Sequence, residues 1–167
     1  MLVSPLRIKK STIDQLESST ILYFTGLTRS ANQIENEKKK LLESEKSINL
    51  MHGIKKIANL MKNNLIEGDV KSFAINLEKS WFLKKKVTES ISNIELDKIY
   101  NLAKKNGAYS GKITGAGGGG FFFFIVDPMK KNNLIRVLNE QQGRVFNFSY
   151  IQNGVSTWKI HKSLIKY

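Results

Sequence analysis

Apolar positions along the chain follow two rhythms, and each change of rhythm marks an element. Residues 20 to 26, Thr-Ile-Leu-Tyr-Phe-Thr-Gly, form a β-branched and aromatic run closed by glycine, which predicts a buried strand. From Ser30 onward the period lengthens. Ile34, Leu41 and Ile48 lie seven apart, and Ile48, Met51, Ile54, Ala58, Met61 and Leu65 continue at spacings of three and four. This predicts a long helix with one apolar stripe on a lysine-rich rod, bent where His52 and Gly53 interrupt the stripe. Gly68 and Asp69 supply a helix stop followed by an N-cap, and Phe73, Leu77 and Trp81 share one face of the next helix.

A third helix is expected from about Glu95 to Lys105, with Leu96, Ile99 and Leu102/Ala103 inward and Asn106-Gly107 as its end. Two strands follow around a run of glycines, at roughly 109 to 114 and 120 to 126. Asp127-Pro128 breaks the second and starts a helix carrying Leu134, Val137 and Leu138. Val145, Phe146, Phe148 and Tyr150 then read as an alternating strand, and Val155 to Ile160 as a further strand or edge segment. Strands and helices are segregated rather than strictly alternating, so the expected fold class is α+β, an antiparallel sheet with helices packed on one face. No repeat or linker divides the chain, and residues 1–167 read as a single domain.

Composition narrows the chemistry. With 41% hydrophobic residues the chain can bury one core. It has no cysteine, hence no disulfide and no thiolate metal site, which fits a reducing compartment. No apolar run is long enough for a membrane helix, and Met1-Leu-Val-Ser-Pro lacks a signal-peptide profile, so a cytoplasmic protein with no membrane partner is expected. The net charge of +13 raises nucleic-acid binding, but only Arg7, Arg29, Arg136 and Arg144 are arginine and the lysines are spread along the length. Specific readout favours arginine, so no nucleic-acid partner is expected; the field would still concentrate an anionic substrate. His52 and His161 are isolated, without zinc-ligand spacing, so no metal site is expected. Ser110 and Ser149 lack a paired His and Asp pattern, and Asp14, Asp69, Asp97 and Asp127 read as caps or turn residues, which leaves the chain without a catalytic residue of its own.

The strongest chemical signal is the segment 107 to 120, Gly-Ala-Tyr-Ser-Gly-Lys-Ile-Thr-Gly-Ala-Gly-Gly-Gly-Gly. Four consecutive glycines let the backbone reach positive φ and turn several N–H groups toward one anion. A wide hairpin turn would use the same residues, and composition alone leaves both readings open.

Lys112-Ile-Thr-Gly-Ala-Gly-Gly-Gly-Gly120 resembles the third, C-terminal motif of the GHMP kinases, the superfamily of galactokinase and of homoserine, mevalonate and phosphomevalonate kinases, whose pattern is close to K-x-x-G-A-G-x-G-G. Similarity continues in Pro5-Leu-Arg-Ile, Leu22-Tyr-Phe-Thr-Gly-Leu-Thr-Arg29, Trp81 followed by Lys84 and Lys85, Ile99-Tyr100, and Phe146-Asn-Phe148 with Gly154. Together these resemble the members that phosphorylate D-glycero-D-manno-heptose 7-phosphate at its anomeric oxygen, on a route to activated heptose for surface polysaccharide. The resemblance implies a ferredoxin-like C-terminal domain with extra helices. It also implies that Lys112, Gly115, Ala116, Gly117, Gly118, Gly119 and Gly120 form a loop near the nucleotide phosphates and the phosphoryl acceptor. Lys112 is either a charge-neutralising group there or a solvated rim lysine.

Arg29 follows the first strand at an expected helix start and is the first candidate for the sugar phosphate, with Lys84 and Lys85 as weaker ones. The nucleotide loop Pro-x-x-x-Gly-Leu-Gly-Ser-Ser and the Asp-containing catalytic segment of the family do not occur; the only Gly-Leu pair, Gly26-Leu27, runs into Thr28-Arg29. The expectation is therefore the C-terminal part of a kinase without its N-terminal nucleotide-binding domain, inactive alone and binding neither ATP nor Mg2+ by itself, although the intact enzyme would use both. Its partners would be the sugar phosphate and ATP together with the N-terminal domain, with self-association through the exposed domain interface. The alternatives are a fragment of a galactose- or fucose-type kinase, and a free-standing ferredoxin-like module that binds an anion or a partner protein.

Overall fold

In the computed structural model, residues 4–27, 44–87, 89–151 and 154–158 are described. Strand β1 (Thr20–Phe24) is the short aromatic run foreseen from the sequence, and it pairs antiparallel with β3 (Phe121–Val126), Tyr23 opposite Phe122. Strand β2 (Ala108–Ile113) lies on the far side of β3, and β4 (Arg144–Phe146) on the far side of β1, both antiparallel. The sheet order is thus β2-β3-β1-β4.

Alternation along the strands separates the two faces. Ile21, Tyr23, Phe122, Phe124 and Val126 point to one side, where Leu96, Ile99, Tyr100 and Ala103 of α4 (Ile94–Lys105) and Leu134 and Leu138 of α5 (Lys131–Asn139) cover them. The α+β class and the antiparallel sheet are as expected. A smaller cluster forms on the other face, where Phe73, Ala74 and Leu77 of α3 (Val70–Lys85) meet Ile125 with help from Leu16, Met61, Leu65 and Phe123. Helix α3 lies against β2 and serves both clusters: four residues beyond Leu77, Trp81 is fully buried edge-on to Phe122, the ring centroids 6.1 Å apart.

Several boundaries differ from the sequence reading. Helix α1 (Lys10–Ser18) was not foreseen; its apolar content is slight, and Thr12 is its only buried residue. The described part of the long helix is α2 (Glu45–Glu67), while the predicted positions Ile34 and Leu41 lie outside the described residues. No break occurs at His52-Gly53. A Cβ on Gly53 would stand 3.0 Å from Leu83 Cδ1, so this glycine lets α2 approach α3 closely. Of the predicted stripe of α2, Ile54, Met61 and Leu65 pack inward, joined by Leu50, whereas Ile48, Met51 and Ala58 are exposed. Gly68 closes α2 at φ 85°, and Asp69 caps α3 by accepting the Ser72 N–H at 2.9 Å, as expected. Asp127 caps a short 3-10 turn (Pro128–Lys130) before α5 begins.

The last predicted strand is shorter than its pattern. After Phe146 the Glu17 carboxylate accepts from Ser149 Oγ and from the Tyr150 N–H, and Tyr150 pairs its hydroxyl with Thr20 Oγ1, so this stretch is held by side chains of α1 and of the first residue of β1 instead of by strand pairing. Residues 155–158 are exposed and form no strand, and 159–160 lie outside the described residues.

Candidate functional site

The glycine segment joins β2 to β3, and its backbone is what the composition demanded: Gly115, Gly117, Gly118, Gly119 and Gly120 all have positive φ. At two positions a side chain is also excluded by space. A Cβ on Gly119 would sit 2.4 Å from the carbonyl oxygen of Leu27, and one on Gly117 3.0 Å from Ile91 Cα. The loop is therefore threaded between two distant parts of the chain. The Gly118 N–H donates to Ile91 O and the Gly120 N–H to Leu27 O, both at 2.8 Å, while the Thr25 N–H and Oγ1 both donate to Gly120 O at 2.9 Å.

These anchors leave the remaining donors unused. Among the described residues the N–H groups of Gly115, Ala116, Gly117 and Gly119 find no acceptor. Gly115 is exposed, with nothing within 4 Å of where its Cβ would be. Unpaired N–H groups on a turn of mixed φ sign are the groups from which anion-binding concavities are built.

Beside the loop lies a cleft of about 270 Å³, lined by Lys84, Lys112, Thr114 and Gly115 over an apolar floor of Leu77, Ile113 and Phe123. Lys112 is half-buried at the end of β2 and not on a solvated rim. Its ammonium donates to Ser80 Oγ at 3.4 Å, and among the described residues it has no carboxylate partner. Burial pushes its pKa below the usual lysine range, because the charged form is desolvated. An incoming anion would offset that penalty.

The three other cations of the sequence reading fare differently. Lys84, near the end of α3, lines the cleft and donates to Gly115 O at 2.5 Å. Its neighbour Lys85 is turned to α4, where it pairs with Asp97 at 2.6 Å and stands 5.9 Å from the centre of the Trp81 ring. Asp97 also accepts from Ser92 Oγ, and the N-cap of α4 is Asn93 instead. Arg29 lies outside the described residues. The contact of Lys84 with the loop had no sequence signal, since 31 residues separate the partners. Among the described residues no cluster of three or more His, Asp or Glu side chains converges on a common point, and no helix is long and apolar enough to cross a membrane.

Comparison with known proteins agrees with this architecture. Residues 57–144 match the family model of the GHMP kinases C terminal. The chain is 51% identical over 160 residues to the D-glycero-alpha-D-manno-heptose 7-phosphate kinase of Campylobacter jejuni, a match that takes in 96% of this chain and 47% of that protein. Among solved structures, a protein of Campylobacter jejuni described as a sugar kinase superposes with a TM-score of 0.70 at 47% identity, over 95% of this chain and 44% of the other. A D-glycero-D-manno-heptose 1-phosphate kinase from Bacteroides thetaiotaomicron gives a TM-score of 0.69 at 34% identity, over 96% of this chain and 42% of the other. The chain thus spans about half the length of the curated relative it matches.

Proposed function

Because the chain belongs to the GHMP kinases and matches the C-terminal domain of that family, we propose that it supplies the acceptor-side half of an ATP-dependent kinase acting on a heptose phosphate. The observation that carries the acceptor is the 51% identity, over 96% of the chain, to a heptose 7-phosphate kinase. The observed loop fits the role. Phosphoryl transfer asks little covalent chemistry of a protein, so positioned donors and cations provide most of the catalysis. Here the unpaired N–H groups of Gly115, Ala116, Gly117 and Gly119 supply fixed dipoles, and Lys112 supplies a cation already stripped of part of its water.

In this reading Gly118 and Gly120 are structural, their N–H groups being spent on Ile91 and Leu27. Lys85 belongs to the α3–α4 packing through Asp97, and Arg29 remains the candidate for the 7-phosphate. ATP, Mg2+ and the catalytic carboxylate would be held by the N-terminal half of the enzyme, so this chain by itself turns over no ATP.

A chimera tests the assignment. The matching half of the Campylobacter jejuni kinase is replaced by this chain, and ATP-dependent phosphorylation is followed over a panel of sugar phosphates. Heptose 7-phosphate should be the preferred acceptor. A folded, ATP-binding chimera that prefers galactose or fucose would overturn the acceptor assignment, and turnover by this chain alone would overturn the division of labour.

A further inference from the structure

The tip of the glycine loop, residues 115–117, lies between two fixed points: the Thr114 N–H on Phe121 O at 2.8 Å, and the Gly118 N–H on Ile91 O. Between them, among the described residues, one hydrogen bond reaches the tip, from the Lys84 ammonium to the Gly115 carbonyl. Gly115 itself offers no resistance to rotation, having φ 72° and open space around its Cβ position.

The Gly115–Ala116 peptide is trans, so its carbonyl and its N–H point in opposite directions. A cation that holds the carbonyl therefore fixes the direction of the Ala116 N–H, and it also polarises that N–H into a stronger donor. The carbonyl faces Lys84 in the cleft, so the Ala116 N–H is aimed at the outer side of the loop, away from the ammonium that holds it.

We infer that Lys84 is a positioning residue: it clamps the Gly115–Ala116 peptide so that the Ala116 N–H meets a phosphoryl group on the outer side of the loop, and it does not itself touch that group. Lys84 then differs in kind from Lys112, which lines the same cleft and whose ammonium, among the described residues, has Ser80 as its only hydrogen-bond partner. This inference rests on the loop being a phosphate site, and the experiment separates the two.

The test uses the 167-residue chain labelled with nitrogen-15, as wild type, Lys84→Met and Lys84→Arg, observed before and during titration with inorganic phosphate. In the phosphate-free spectrum Lys84→Met should move the Ala116 nitrogen resonance upfield, because its peptide loses the cation on the carbonyl, while Gly118 and Gly120 stay in place. Phosphate affinity should fall about fivefold, as loss of one hydrogen bond of ordinary strength implies, and Lys84→Arg should restore both readouts. An unmoved Ala116 resonance in phosphate-free Lys84→Met overturns the clamp. So does weakened phosphate binding with Ala116 undisturbed, which would make Lys84 a direct ligand. If wild-type residues 115–117 ignore phosphate, the phosphate reading of the loop fails, and the clamp is judged on the phosphate-free spectra. Should Lys84→Met unfold the chain, Lys84→Arg decides: Ala116 held in place supports the clamp, and Ala116 displaced overturns it.

Discussion

Gly115 and Gly119 both occupy the left-handed half of backbone space, yet a methyl group would meet different surroundings at each. At Gly119 the new Cβ lies 2.4 Å from Leu27 O, a backbone atom that is itself held by the Gly120 N–H, so neither side can yield. Gly119→Ala should cost about 1–3 kcal/mol of stability, measurable by urea unfolding. Gly115→Ala meets no atom and carries only the conformational penalty, about 1 kcal/mol, so equal losses at the two sites would contradict this account of the loop. Lys112 makes the opposite trade. Its pKa is lower in the fold than in the unfolded chain, so the charged form is penalised at neutral pH, and the penalty fades as pH rises from the folded to the unfolded value. Lys112→Met should accordingly raise the melting temperature at pH 7, by an amount that vanishes above about pH 10.5, while weakening phosphate binding. A melting temperature unchanged or lowered at pH 7 would show that the lysine is well solvated.

Between elements, three phenols act as ties, Tyr23 and Tyr100 buried and Tyr150 half-buried. Tyr23 of β1 accepts the Gly143 N–H ahead of β4 at 3.1 Å, Tyr100 of α4 donates to Glu78 of α3 at 2.6 Å, and Tyr150 reaches Thr20 of β1 at 3.2 Å. Burial raises all three pKa values above 10.0, helped at Tyr100 by donation to Glu78 and at Tyr150 by the Glu17 charge. Each holds its proton in the fold and loses it more readily when unfolded, so these groups destabilise the fold as pH climbs past about 10. In an alkaline titration their phenolate absorbance should appear together with loss of the far-ultraviolet circular dichroism; phenolates formed before that loss would refute their burial. The same level shows where the sequence was readable. Phe73, Leu77 and Trp81, the Gly68-Asp69 boundary and the glycine loop were legible because spacing and residue type dictate them locally. The face of α2 was read in part: Ile54, Met61 and Leu65 pack inward as expected, but neighbouring stripes both fit a helical period, and the packed one takes Leu50 and leaves Ile48 and Met51 exposed. Helix α1 carries too few apolar residues to announce itself, and the end of β4 depends on the Glu17 carboxylate more than 130 residues away.

For the whole molecule, the face of the sheet opposite α4 and α5 is only partly covered. Beyond the small cluster around Ile125, Leu22, Phe24 and Phe121 are only partly buried and Phe146 is 41% exposed, with Phe24, Phe121 and Phe146 in ring contact at 5.1 and 5.4 Å. An apolar area of this kind favours association, which the net charge of +13 opposes. Sedimentation should therefore show dimers that increase with both protein concentration and salt, since salt screens the repulsion, and Phe146→Glu should shift the population to monomer. A strict monomer at high salt would count against the face as a contact surface. The glycine loop carries a further consequence for the order in which the molecule assembles. Its tied amides bridge residues 25–27, 91 and 118–120, so they can be protected only after three separate stretches of chain have come together. Amide exchange with heavy water should thus divide neighbours: Gly118 and Gly120 exchange slowly and gain protection late in refolding, while Gly117 and Ala116, one and two residues before Gly118, exchange within the dead time. A single loop would then report two clocks, one set by the completed fold and the other by the solvent at its tip.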